Sequence, residues 1–416
     1  MRDPVDFLQS LFRAGLAAAD PLKIVPAHLP SPPRGRTVVI GAGKAAAAMA
    51  RAVETAWPAD RALTGLVVTQ YGYGLPLTRI AGVEAAHPFP DDAAEDAARR
   101  ILDLVGGLTP DDLVLALLSG GGSSLMSLPA PGISRAEKKS VIGALMKAGA
   151  PIHDINCVRK HLSAVKGGQL ARAAYPAPVI SLIISDVPGD VPHVVASGPT
   201  LADPTTQADA RAVLERYSIS APDAVRRQLA DAVQETPKAG DLCFSGHKAT
   251  IIARGRDALM AAAAAAVAAG VEPIILGDDI EGEARRVGAD HALQAMRHLK
   301  KSPCVLLSGG ETTVTITGSG KGGRNSEYLL GAVLAANGQA QIYGLACGTD
   351  GLDGSGGNAG AFFTPATLAQ AAQKGLDAEV FLGDNDTYRF FTALDSLVVT
   401  GPTYTNVNDF RAILVV

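Results

Sequence analysis

The stretch Thr37-Val38-Val39-Ile40-Gly41-Ala42-Gly43-Lys44-Ala45-Ala46 decides the fold. A short β-branched apolar run ends in a glycine turn, and helix-forming composition follows over 44–55. That is the opening of a strand–turn–helix unit. The pattern repeats outward. Leu66–Thr69 precedes Gln70-Tyr71-Gly72, Leu113–Leu118 runs into Ser119-Gly120-Gly121-Gly122, and Val179–Ile184 ends at Ser185-Asp186. Helix-like stretches lie between them at Asp91–Val105 and Arg135–Ala148. Short buried strands alternating with helices predict the α/β class, with a Rossmann-like, doubly wound parallel sheet in the N-terminal part. Residues 200–240 turn polar, with Asp203-Pro204 opening and Thr236-Pro237-Lys238 closing them, so a boundary is expected near 237. The two expected domains are 1–237 and 238–416. The second is also α/β, with strands at Ile251–Ala253, Pro273–Leu276, Val305–Leu307 and Ile342–Ala346, and an alanine-rich helix ending at Gly270.

Composition narrows the function. Of 416 residues 45 are glycine, about 11% against a usual share of about 7%. Hydrophobic residues make up 47% and charged ones 19%, enough for a sizeable core. A net charge of −4 is a poor footprint for nucleic acid or an anionic membrane surface. No apolar run reaches the length of a spanning helix. Cys157, Cys243, Cys304 and Cys347 form neither a C-x-x-C pair nor a zinc spacing, as expected of a cytoplasmic protein with reduced thiols.

Where the glycine sits then matters. Gly41-Ala42-Gly43-Lys44-Ala45-Ala46 satisfies the dinucleotide fingerprint spacing, but the next strand ends in Thr69-Gln70-Tyr71, without an acid for a ribose hydroxyl. An anion site using Gly41, Gly43 and the charge of Lys44 is the preferred reading; a tight turn with a solvated lysine is the alternative. Ser119, Gly120, Gly121, Gly122, Ser123 and Ser124 offer bare amides and hydroxyls, as a phosphate or carboxylate cradle requires. Arg159, Lys160 and Lys166 concentrate positive charge, which a solvated helix face would do equally well. Asp186, at the end of a buried strand, is placed to ligate Mg²⁺ or accept a hydroxyl proton; a helix or turn cap by Asp186 and Asp190 is the alternative.

The second half repeats strand-then-Ser-Gly-Gly at Leu306-Leu307-Ser308-Gly309-Gly310, followed by Glu311. Gly318-Ser319-Gly320-Lys321-Gly322-Gly323 lacks the P-loop spacing. It delivers Arg324 to a helix entrance with Asn325 or Ser326 as a plausible N-cap, and a guanidinium there suits phosphate or carboxylate. Gly348-Thr349-Asp350-Gly351-Leu352-Asp353 adds acids in a flexible loop without calcium-loop spacing.

Together these stretches resemble the class II glycerate kinases, the MOFRL family historically labelled hydroxypyruvate reductase. The likeness runs in order through GAGKAA, LLSGGGSSL, the Asn156–Gly168 segment, SDVPGD, ASGPT, SGGETTV, GGRN, GTDG and the final TNVNDF. It implies phosphorylation of D-glycerate by ATP with Mg²⁺, typically to 2-phosphoglycerate, by two α/β domains with the active site in the cleft between them. It implies Lys44, Asp186 and Arg324 as the catalytic set. Phosphate and nucleotide contacts are then expected from Gly41, Gly43, Ser119–Ser124, Gly309, Gly310 and Glu311. Arg159, Lys160, Asn325, Asn406 and Asn408 are expected at the substrate, and Asp186, Asp190 and Asp350 at the metal. Tyr404 stands where family members have glycine, which implies a narrowed or re-aimed loop. Partners are expected to be small molecules, with a homodimer as an open expectation. The rival functions are an NAD(P)H-dependent hydroxypyruvate reductase and a non-catalytic sugar-phosphate or nucleotide-binding regulator.

Overall fold

The structure, a computed structural model, describes residues 3–300 and 303–416. The chain forms two compact units: Ile24–Ile252, and a second made of Met1–Lys23 together with Ala253–Val416. This differs from the expected boundary near 237 in two ways. The polar 200–240 segment closes onto the first unit through buried ionic and hydroxyl contacts of Asp203, Glu235 and Thr236. The N-terminal helix Pro4–Ala18 buries Leu8, Leu11 and Phe12 against Leu259, Ala262 and Ala266 of helix Gly255–Ala268, so it belongs to the second unit.

In the first unit the strands are β1 (Thr37–Ala42), β2 (Leu63–Gln70), β3 (Ala81–Ala85), β4 (Leu113–Leu118), β5 (Val179–Ile184) and β6 (Lys248–Ala253). They form one sheet in the order β3-β2-β1-β4-β5-β6, and the pairings from β3 to β5 are parallel. This is the doubly wound arrangement expected from the strand–helix alternation. Every residue of β1 and β4 is buried, as strands covered on both faces require. Val38, Ile40 and Ala42 of β1, with Val114, Ala116 and Leu118 of β4, pack beside Ala94, Ala97, Ala98 and Ile101 of helix Asp92–Val105. That helix starts where the Asp91 carboxylate accepts from the Ala94 amide at 3.0 Å. A smaller apolar cluster joins helices Arg135–Lys147, Ile152–His161, Gln207–Arg216 and Asp223–Ala230.

The second unit continues with β7 (Glu272–Gly277), β8 (Gly282–Glu283), β9 (Cys304–Ser308), β10 (Thr312–Thr313), β11 (Ile342–Gly348), β12 (Gly360–Phe363), β13 (Leu397–Val398) and β14 (Asp409–Val415). Its main sheet runs β13-β12-β11-β14-β9-β7. Only β7–β9 is parallel there; the other pairings are antiparallel. Helices Ala284–Met296 and Arg324–Ala336 pack almost backbone to backbone. A Cβ on Gly288 would lie 1.9 Å from the Tyr328 carbonyl oxygen, and one on Gly331 would lie 2.1 Å from that of Arg285. Part of the glycine excess is thus a helix-packing device that seats the helix carrying Arg324.

Candidate active site

In the first unit, β1, β4 and β5 are in register, Ala42 opposite Leu118 and Leu118 opposite Ile183, so their following loops leave one carboxyl edge side by side. These loops hold Gly43–Lys44, Ser119–Ser124 and Ser185–Asp190, where open α/β sheets bind ligands. The first two loops interlock. Gly43 has φ 137°, and a Cβ there would meet Ser119 Oγ at 2.1 Å. Ala45 N donates to Ser119 Oγ at 3.0 Å, and Lys44 N donates to the Gly120 carbonyl at 2.9 Å. The amides that a dinucleotide pyrophosphate would need are therefore spent on the β4 loop. Gly41 lies within β1, its α-carbon facing the Leu117 carbonyl. Gly41 and Gly43 thus serve strand and loop approach.

Gly121, at φ 80°, lacks a Cβ on the side where the His87 ring would lie 3.1 Å away and Lys44 Cγ 3.6 Å away. The structure thereby gathers Lys44, His87 and the glycine loop. His87 was not a sequence candidate, because nothing local marks a histidine before Pro88 as belonging to a loop more than thirty residues on. Ser123 and Ser197 share a hydroxyl–hydroxyl bond of 2.8 Å, and Ser124 donates to the Gly121 carbonyl at 3.0 Å. Asp186 is half-buried just past β5, and Asp190 follows in a short 3-10 turn at φ 51°.

The basic segment resolves differently from a shared anion patch. Lys166 Nζ is buried and donates to the Ser123 carbonyl at 2.5 Å and the Met126 carbonyl at 2.9 Å. It fixes the end of the short helix Gly122–Leu125 from inside. Lys160 Nζ lies 3.2 Å from Asp203 Oδ1, both out of solvent. Burial opposes the Asp203 carboxylate, yet Lys160 and bonds from Thr205 hold its pKa below the ordinary range. Arg159 is half-buried and donates to neutral Asn156 at 2.7 Å.

In the second unit the site assembles at one end of the mixed sheet. β14 runs antiparallel to its neighbours, so Asp409 starts opposite Gly348 at the end of β11, and Arg411 lies opposite Ser308 at the end of β9. Asp409, with no side-chain exposure, accepts from Arg324 Nε at 2.9–3.0 Å, Arg411 Nη2 at 2.7 Å and Asn325 Nδ2 at 3.0 Å. Arg411 is itself wholly buried, bonded to the Gly309 carbonyl at 3.0 Å and stacked 5.4 Å over the Tyr328 ring. Arg324 also pairs through Nη1 with the half-exposed Glu311. Burial lowers the Arg324 pKa, but Asp409 and Glu311 outweigh it and raise it further. The guanidinium is permanently charged, with one edge locked and one edge reaching a removable partner.

One expectation for this half changes. The N-cap of helix Arg324–Ala336 is Gly323, and the capping acceptor is Asp353, whose carboxylate takes the Asn325 and Ser326 amides at 2.9 Å each. The backbone of the 318–323 run is held by the protein's own side chains. Gly318 N donates to Asn385, Ser319 N to Asp384 and Lys321 N to Asp386, at 2.8–3.1 Å. Arg324 is left as the anion group of that loop. Asn406 and Asn408 are buried, in a turn tied by Thr349 Oγ1 to the Asn408 carbonyl. Asn325 is buried behind Arg324. Gly309 and Gly310 hold Arg411 through their carbonyls, so the Ser-Gly-Gly echo has different uses in the two units. Asp350 is in the second unit and Asp186 and Asp190 in the first, and among the described residues no three His, Cys, Asp or Glu side chains group as a metal site.

Two family matches span most of the chain. Residues 7–230 match a domain of unknown function, DUF4147, and residues 304–409 match the MOFRL family. The chain belongs to the class II glycerate kinase, or MOFRL, family. A protein of Agrobacterium vitis named "Putative hydroxypyruvate reductase" is 50% identical, covering 98% of this chain and 94% of that one. The D-glycerate 2-kinase of Thermotoga maritima is 38% identical over 98% of this chain and 97% of its own. The crystal structure of glycerate kinase from Thermotoga maritima superposes with a TM-score of 0.90 at 36% identity, covering 99% of both chains. Among the described residues of this family member, no helix is long and apolar enough to cross a membrane.

Proposed function

We propose that this chain is a glycerate 2-kinase, transferring the γ-phosphoryl group of ATP to the 2-hydroxyl of D-glycerate to give 2-phosphoglycerate and ADP. The observation that carries the reading is Arg324, fixed through Nε by the buried Asp409 while its Nη1 edge meets the half-exposed Glu311. A preorganised guanidinium is what a transferring phosphoryl group needs, since such transfer rests on positioning and charge compensation. The full-length likeness to the D-glycerate 2-kinase of Thermotoga maritima directs the choice of acceptor.

In the proposed reaction Asp186 accepts the proton of the 2-hydroxyl as its oxygen attacks the γ-phosphorus. The new O–P bond forms while the bond to the β,γ-bridging oxygen breaks, and ADP leaves with that electron pair. Lys44 and Arg324 offset charge on the transferred group, and the Ser119–Ser124 loop receives phosphate oxygens. Mg²⁺ commonly needs only one or two carboxylates besides nucleotide phosphates; Asp190, in the turn after β5, would supply one and leave Asp186 to take the proton, and the ion would neutralise phosphate charge. A cytoplasmic location and a homodimer complete the proposal, and sedimentation reads the second.

The reductase reading meets an obstacle in the Gly43 turn, whose backbone is filled by Ser119 and Gly120 and not held open for a pyrophosphate. A coupled assay separates the two. D-glycerate-dependent ADP formation, without NADH or NADPH oxidation on hydroxypyruvate, is the expected result. Phosphorus NMR of the product assigns the 2-position. Lys44→Ala and Arg324→Ala should each lower kcat/KM by about a hundredfold or more. Unchanged turnover in both would remove those roles and favour a non-catalytic regulator.

A further inference from the structure

Helices Arg135–Lys147 and Ile152–His161 and the turn after them carry several buried or half-buried cations. Lys160 is matched by Asp203, and Lys166 is held by two carbonyls. Among the described residues, Lys138 and Arg159 on adjoining helices pair with no carboxylate. Arg159 bonds to neutral Asn156, and burial is what lowers its pKa. Lys138, on the neighbouring helix Arg135–Lys147, is 8% exposed, and its Nζ is fully buried without a hydrogen-bond partner. Glu95 acts on Lys138 only through the field, because its two oxygens are engaged by Arg135 at 2.5 Å and Arg99 at 3.2 Å. Arg159 in turn repels both Lys138 and Lys166.

A buried ammonium without a partner, beside a second cation, is an unfavourable arrangement unless an anion joins it. Burial first, and Arg159 second, push the Lys138 pKa down to about 7, so an arriving anion would restore its charge. We propose that Lys138 and Arg159 form an oxyanion site in this unit, and that the oxyanion it takes is the carboxylate of the glycerate acceptor. The assignment of the carboxylate rests on the kinase reading; the oxyanion site does not. The flexible four-carbon stem of Lys138 lets its ammonium move to an anion arriving beside the half-buried Arg159.

Calorimetric titration of D-glycerate, ATP and inorganic phosphate into the wild type, Lys138→Met, Lys138→Arg and Arg159→Gln tests the site without needing turnover. D-Glycerate binding should weaken about tenfold or more in Lys138→Met and Arg159→Gln, with ATP binding within about twofold and Lys138→Arg close to wild type. Weakened ATP binding with D-glycerate unchanged would uphold the oxyanion site and overturn the carboxylate assignment. D-Glycerate, ATP and phosphate binding all unchanged in both variants would overturn the site and leave Lys138 as a buried lysine in the field of Glu95. Should Lys138→Met fail to fold, Arg159→Gln carries the same test from a half-buried position. If the wild type neither binds nor phosphorylates D-glycerate, the kinase reading falls, and the loss or retention of phosphate binding in the variants still decides the site.

Discussion

Arg324 Nε and Asp409 Oδ2 lie 2.9 Å apart across 85 residues of chain, and Asp409 is shared with the fully buried Arg411. The carboxylate thus works as a hinge pin for the guanidinium. Asp409→Asn should lower kcat by ten- to a hundredfold with smaller changes in KM, because Arg324 keeps its charge and loses its aim. Guanidinium ion should partly rescue Arg324→Ala but not the Arg324→Ala/Asp409→Asn double variant. Equal rescue of both would remove the positioning role.

Lys160 and Asp203 form the buried pair of the first unit, and their separation is a stability matter before a kinetic one. Asp203→Asn strands a buried ammonium and should cost roughly 3–5 kcal/mol of unfolding free energy. Urea denaturation checks this, and a loss under about 1 kcal/mol would show that the site relaxes or hydrates.

Glu235 supplies a pH dependence whose sign can be worked out. Burial alone would raise its pKa, but the Gln207 amide, Lys238 and the Thr236 amide outweigh it and bring it down to about 2. A carboxylate depressed in the folded state stabilises above its unfolded value near 4.5, and that contribution is lost as pH falls toward 2. Glu235 is partly exposed, so solvent screening keeps the effect to about 1 kcal/mol. Thermal melts of Glu235→Gln against wild type should differ at pH 7 and converge near pH 2. A constant gap would place the effect in packing.

Tyr404 has φ 59°, the left-handed region where a side chain is strained. A glycine there would avoid that strain. Tyr404→Gly should therefore be more stable than Tyr404→Ala by about 1 kcal/mol, since both lose the ring and only alanine keeps the strain. Equal stability of the two variants would mean that the turn refolds when the ring is removed.

The parts of this molecule readable from sequence are those whose cause is local. The β-branched run before Gly41, the apolar runs of β4 and β5 and the helix ends near Asp91 and Arg135 declare themselves within a few residues. Arg324 was readable because glycines and a helix entrance stand beside it. What escaped is set by distant partners: the Asp353 cap on Ser326, the Asp409 clamp, and His87 against Gly121. The Gly318–Gly323 run shows the same limit, since bare amides look alike until Asp384, Asn385 and Asp386 arrive to bind them. The mixed second sheet was hidden too, because an antiparallel strand such as Asp409–Val415, buried on both faces, carries no alternating pattern.

The pairing of helix Pro4–Ala18 with residues after 253 has a consequence for biosynthesis. On the ribosome this helix is made long before its partners, so its apolar stripe of Leu8, Leu11 and Phe12 has no seat until Leu259, Ala262 and Ala266 have followed it. The first unit completes itself while that stripe is still waiting, so the nascent protein carries an uncovered greasy leader through most of its translation. Holdase chaperones should find it there.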